Sequence, residues 1–152
     1  MTVNTPLAQH VRNIIRTTSI TTAATSAAVT ALAKAETNHA AAGLNAVSHL
    51  LWGDESEKVN DWDVRHTVVG GAVNTSAMTA WAVVHETLPR AHTWWGAALK
   101  GVLLSAAAYA VDYYVMPKRF TPGFERRLSP PAMLVTYAAL AGAFAYSERS
   151  AN

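Results

Sequence analysis

The residues of this sequence that could carry chemistry are its six histidines and an acid inside an apolar stretch. Neutral imidazole is a common ligand of zinc and iron, and a carboxylate often completes such a site. The histidines separate into two candidate metal or haem sites, according to the helix end where we expect them. The two ligand sets are His49, His66 and Asp112, or His39, His85 and His92.

The spacing of the histidines gives these sites no motif. No two histidines stand one helical turn apart, as they do where two metal ligands share a helix face. Histidines near helix ends also serve as interfacial residues that hydrogen-bond to loops or lipid headgroups. No cofactor is therefore favoured, and a metal- or haem-binding membrane protein is kept as an alternative.

An acidic segment lies between His49 and His66. Its acids are Asp54, Glu55, Glu57, Asp61 and Asp63. A calcium-binding EF-hand loop needs a central glycine and a closing glutamate, and this spacing does not supply them. We expect a solvated loop that joins two helices.

Asp112 lies in a long apolar segment that only Lys100 otherwise interrupts. An acid within a membrane span is costly and usually faces the helix bundle or a water path. It could share a proton with His49, or reach back from a shallow position to the loop arginines. With His49, Asn45 and Asn74 it forms the set of candidate intramembrane polar residues. For the two asparagines, hydrogen bonding between neighbouring helices is the expected role.

Long stretches without charged residues predict the helices that must position these side chains. Only 14% of residues are charged, against about 25% in an ordinary globular protein. A membrane-spanning helix needs about 20 mainly apolar residues. An Ala-rich soluble bundle is the alternative, but its polar outer face would consist of Thr and Ser alone. The sequence predicts one all-α domain over 1–152, a compact transmembrane bundle of four to five helices. The approximate spans are 17–35, 38–53, 66–88, 92–116 and 129–147.

The number of crossings follows from the basic residues. Five crossings would put eight Lys or Arg on one side and three on the other. Such residues in short loops favour the cytoplasm, so we expect the N-terminus inside and the C-terminus outside. The segment 38–53 is the weak point, because a helix from Asn38 to Trp52 reaches only about 22 Å. A tilted span in a thin patch of bilayer and a re-entrant segment are the alternatives, and four spans with a broken first segment remain possible.

Small residues predict the faces on which the helices pack. In lipid, helices associate where small side chains let two backbones approach closely. Such series are Gly71-Thr75-Thr79, Ala97-Gly101-Ser105 and Ala138-Gly142. The threonines of the first span can also bond to carbonyls four residues earlier on their own helix.

Other function classes find little support. There is no cysteine, so thiolate metal sites and a cysteine nucleophile are excluded. Neither a P-loop, a dinucleotide-binding fingerprint nor a nucleophile elbow occurs, and no enzyme class is indicated. The net charge of +2 includes no long basic tract, so a nucleic-acid partner is not expected.

The stretches "GLNAVSHLLWGD", "RHTVVGGAVN" and "VDYYVMPKRFTPGFERRLS" resemble those of uncharacterised small polytopic proteins of bacterial inner membranes. The resemblance implies an inner-membrane location and assigns no activity and no site residue. We expect a structural or accessory protein that associates with lipid and with itself or a larger membrane complex. A small transporter or channel-like subunit with a polar path around Asp112 is the second possibility.

Overall fold

A computed structural model of the chain describes residues 6–150, and these residues are all helical or irregular, with no strand among them. Residues 1–5 and 151–152 of the predicted domain lie outside the described part. The helices are α1 (Pro6–Thr37), α2 (Ala42–Val47), α3 (His49–Trp52), α4 (Val69–Thr87), α5 (Trp94–Ala110) and α6 (Pro130–Ser150). A π-helical turn, Val64–Val68, leads into α4, and a second, Val111–Val115, ends α5. The predicted all-α helical bundle is confirmed.

Helix α1 lies between α4 and α6, and α5 packs on the other side of α6. The face of α1 that points inward repeats every four residues, from Thr17 through Thr21 and Thr25 to Val29 and Ala33. The hydroxyls of Thr21 and Thr25 donate to the carbonyl oxygens four residues earlier, at 2.8 and 2.9 Å. The expected back-bonding therefore occurs, and it lets polar side chains occupy the packed face.

The first and last described helices meet at one end of the bundle. Arg16 of α1 donates to the carbonyl oxygens of Ser147 and Ser150 of α6. We call this the termini end. At the opposite end, the Glu36 carboxylate accepts a hydrogen bond from the backbone N–H of Ser129 at 2.8 Å. We call this the loop end. Helix α1 therefore begins, and helix α6 ends, at the same end of the bundle.

The segment 38–53, expected as one span, does not form a continuous helix. It holds α2, of 6 residues, and α3, of 4 residues, and six residues of helix are only about 9 Å long. All six residues of α2 are buried. Two glycines permit this, because a Cβ at Gly43 would meet Val29 at 2.4 Å and one at Gly70 would meet the Leu44 carbonyl oxygen at 1.9 Å. Helix α2 thus fills the space between α1 and α4 at the loop end.

The small-residue series met three different outcomes. Ala97, Gly101 and Ser105 are buried, and a Cβ on Gly101 would lie 2.3 Å from the Ala141 carbonyl oxygen of α6. On α4 the close contact is at Gly70, one residue from the predicted Gly71, which has nothing within 4 Å of an added Cβ. The Ala138-Gly142 face is exposed. A series of small residues therefore indicates close packing of two helices only where that face of the helix is directed at a neighbouring helix.

Two segments, Val64–Thr87 and Trp94–Val115, are long and apolar enough to cross a membrane. In the most apolar stretch of 18 residues of each segment, only 22% and 28% of the residues are buried inside the bundle. Large apolar side chains therefore face outward, among them Val83, Leu99, Val102 and Leu103.

Candidate functional site

An open cavity of about 280 Å³ lies around Asp112, toward the loop end of the bundle. We call it the Asp112 cavity. Its wall is formed by α1, α2, α3, α4, the π-helical turn after α5, the 116–124 connection and α6. The polar side chains that line it are Thr25, Asn74, Ser76, Asp112, Thr136 and Tyr137. The remaining lining residues are apolar: Val47, Leu50, Val73, Ala77, Met78, Met116, Phe120, Pro122, Phe124 and Leu140.

Asp112 owes its position to the π-helical turn Val111–Val115. Such turns occur mostly as single insertions in α-helices and are frequent at functional sites. The Oδ2 atom of Asp112 accepts a hydrogen bond of 2.6 Å from the Tyr137 hydroxyl of α6. Among residues 6–150, no Lys, Arg or His nitrogen lies within ion-pair distance of this carboxylate. Within the cavity, the Asp112 carboxylate therefore has only a neutral hydrogen-bond partner.

Asn74, a second candidate, lines the same cavity and connects two helices. Its amide nitrogen donates to the hydroxyls of Thr25 and Ser26 of α1, both at 3.2 Å. The sequence assigned an interhelical role to this residue, and these contacts join α4 to α1. Two of the four candidate polar residues, Asp112 and Asn74, thus line the same cavity.

His49 and Asn45 do not line the Asp112 cavity. The His49 Nδ1 lies 2.9 Å from the Ala46 carbonyl oxygen. Gly123, at φ 85°, packs so closely on the ring that a Cβ would lie 2.7 Å from Nδ1. Asp112 pairs with Tyr137 rather than with His49. Asn45 donates at 2.9 Å to the carbonyl oxygens of Val59 and Asp61, so it holds the acidic loop.

Two arginines of the connection before α6 bind the acidic loop. Arg126 pairs with Asp54 at 2.9 Å and also with Glu57, and Arg127 donates to the Glu57 carbonyl oxygen. His66 bonds through its ring and its backbone N–H to Asp63, which caps the π-helical turn before α4. The hydrogen bond from the His66 ring lowers the pKa of the Asp63 carboxyl below its usual value.

The structure separates the histidines that the sequence grouped. His39 follows α1 at the loop end, whereas His85 and His92 lie at the termini end. Thr17 and Thr37 of α1 span this separation and are about 30 Å apart at 1.5 Å per residue. Within the described range 6–150, no three His, Asp or Glu side chains are arranged to hold a metal ion.

A buried network of ionisable side chains at the termini end was not expected from the sequence. The side chains of His85, Glu86 and Glu148 are each 1% exposed. Glu148 pairs with Lys100 of α5 at 2.8 Å, and Glu86 pairs with Arg90 at 2.9 Å and accepts from the Thr17 hydroxyl at 2.8 Å. Four helices therefore meet in this network. Glu148 was not among the predicted site residues. The signal that could have found it is an acid at the end of one apolar segment together with a lysine, Lys100, within another.

A second polar pocket borders this network. It is lined by His10, Asn13, Glu86, Arg90 and His92, among others. It is wide open, and the Glu86 carboxylate there already has a cationic partner in Arg90. The Asp112 cavity is the better candidate site, because its carboxylate lacks a cationic partner.

Comparison with known proteins identifies no relative: no family model, no curated protein and no solved structure matches this chain.

Proposed function

We propose that this protein is an integral membrane protein in which α1, α4, α5 and α6 cross the bilayer, and that it binds a small, largely apolar molecule in the Asp112 cavity. It would act as a small transporter or channel-like subunit. The cavity carries this proposal, because an apolar pocket with a few convergent polar groups is the usual form of a small-molecule site.

The membrane part of the proposal is supported by the outward-facing apolar side chains. A core helix of a soluble protein is mostly buried, whereas only about a quarter of the residues in the most apolar stretch of each of these two segments are buried. In lipid such faces need no cover. The bacterial inner membrane is taken from the sequence resemblance. Seven Lys or Arg lie at the loop end and five at the termini end among residues 6–150, a split too even to set the orientation.

A screen with a matched pair of variants tests the binding site. Ala77 lines the cavity on α4, whereas Ala80, also exposed on α4, does not. We expect compounds that raise the unfolding temperature of the purified wild-type chain to do the same for Ala80→Phe and to lose their effect on Ala77→Phe, because the new ring fills the cavity. Stabilisation that is equal in both variants would place the binding elsewhere.

An accessory role in a membrane complex is a second candidate, favoured by one observation. An open groove between α5 and α6 carries small and apolar residues on its rim, including Val102, Ala106, Ala138 and Ala141. Small residues of this kind let another helix approach closely. The variant Ala138→Cys, in a chain without native cysteine, should form disulfide-linked dimers in membranes if a second copy packs there. Only monomers would count against self-association through this groove.

A further inference from the structure

We propose that the ligand of the Asp112 cavity is a small organic cation, a substituted ammonium whose nitrogen carries methyl or methylene groups. This inference rests on the proposed function and specifies its substrate class. It depends on three properties of the cavity: the sign of its charge, the rings in its wall and its size.

The charge of the lining has one sign. Asp112 is the only ionisable acid or base among the lining side chains, apart from the Tyr137 phenol. Tyr137 donates a neutral hydrogen bond to Asp112 and does not compensate its charge. A cationic ligand would supply the ion-pair partner that residues 6–150 do not provide, and the attraction between two charges is larger beside an apolar wall than in bulk water.

Aromatic rings and thioethers stand around the same space. Tyr137, Phe120 and Phe124 line the cavity, together with Met78 and Met116. The faces of aromatic rings attract cations, and alkylated ammonium ions are recognised in this way by cages of aromatic side chains. Such an ion also presents an apolar surface, which suits the many aliphatic side chains of the wall.

The size and the wall argue against the other occupants. A cavity of about 280 Å³ lies just below the range of drug-sized sites, so it fits a compound of on the order of ten non-hydrogen atoms. An inorganic cation such as Mg²⁺ or Ca²⁺ needs a shell of six or more oxygen ligands, whereas most of this lining is carbon. A neutral apolar molecule would make no use of Asp112.

The test compares cations with neutral compounds of the same shape. Binding of tetramethylammonium, choline and benzyltrimethylammonium to the purified full chain is measured by calorimetry. Each is set against its carbon isostere, such as 3,3-dimethylbutanol for choline. We expect at least one cation to bind at least tenfold more tightly than its isostere. Asp112→Asn should remove that preference, whereas Asp61→Asn, in the acidic loop, should keep it.

A second variant tests the contribution of the aromatic rings to binding separately from that of Asp112. Phe120 is 48% exposed at the edge of the cavity, so Phe120→Leu should fold normally. It should weaken binding of the cation several-fold and leave the neutral isostere unaffected, because leucine retains apolar surface but has no ring face.

The possible failures are distinguishable. If neutral compounds bind as tightly as the cations and Ala77→Phe blocks both, the cavity is a binding site but its ligand is not a cation. If K⁺ or Mg²⁺ displaces the organic cation at equal concentration, the site prefers inorganic ions and the inference is overturned. If none of the six compounds binds, or if Ala77→Phe leaves binding unchanged, the organic-cation inference fails, and in the second case the site is also misplaced.

Discussion

Glu148 illustrates how much a single buried side chain holds together. Its Oε2 atom lies 2.8 Å from the Lys100 ammonium and 3.1 Å from the His85 ring, and its Oε1 atom accepts from the Ala91 N–H at 2.6 Å. These contacts connect α6 with α4, α5 and the connection between them. Lys100, which hydropathy alone would let reach outward to water, turns to this carboxylate instead.

Replacing Glu148 by Gln should therefore destabilise the protein strongly. The variant leaves Lys100, only 11% exposed, without its carboxylate, and breaking one side of a buried pair costs about 3 kcal/mol. Thermal unfolding in detergent measures the effect. Arg149→Gln, one residue later and exposed, serves as the control. Equal unfolding temperatures for the two variants would show that the network is not stabilising.

Asp63 provides a prediction about pH. Since its pKa is lowered in the folded protein by the bond from His66, ionised Asp63 stabilises the fold above the ordinary carboxyl pKa of about 3.9, and this contribution is lost as the pH falls through the lower folded value. Asp63→Asn should unfold at a lower temperature than wild type at pH 7, and the difference should shrink near pH 3. Asp61→Asn should show no such difference. A gap that is constant with pH would contradict the assignment.

Among the helices, the main difference from the sequence-based expectation is the segment 38–53. Hydropathy cannot distinguish a short span from a buried helix, because both are apolar, and length shows only that 38–53 is short for a span. What distinguishes them is the glycine pair, Gly43 and Gly70, which lets α2 enter between α1 and α4. The threonine stripe of α1, by contrast, was predictable, since its four-residue period defines the buried face directly.

Adjacent glycines on α4 test how α2 is seated. Gly70→Ala would place a Cβ against the Leu44 carbonyl oxygen, and we expect overpacking to lower the free energy of unfolding by about 1–3 kcal/mol. Gly71→Ala meets no atom within 4 Å, so it should be neutral, or stabilising by about 0.5–1 kcal/mol through helix propensity. Chemical unfolding of both variants provides the comparison. If Gly71→Ala were the more damaging change, α4 would be rotated relative to this account.

For the bundle overall, the sequence predicted the all-α fold class, but it could not show which of the candidate polar residues line a common cavity. Asp112 and Asn74 line one cavity because α4 and the end of α5 border the same space, whereas His39 and His85 are separated by most of the length of α1. Such separation depends on how many times the chain crosses the bundle. Charge counting favoured five crossings, but it carries no information on how 38–53 folds, and this segment holds the two short helices α2 and α3.

The most direct test of this account is the sidedness of three positions. The chain has no cysteine, so single variants Gln9→Cys, Glu55→Cys and Ser150→Cys can be labelled with a membrane-impermeant maleimide in sealed vesicles of known orientation. Four crossings predict that positions 9 and 150 are labelled from one face and position 55 from the other. Labelling of positions 9 and 150 from opposite faces, or release of the chain from membranes by alkaline carbonate, would contradict it.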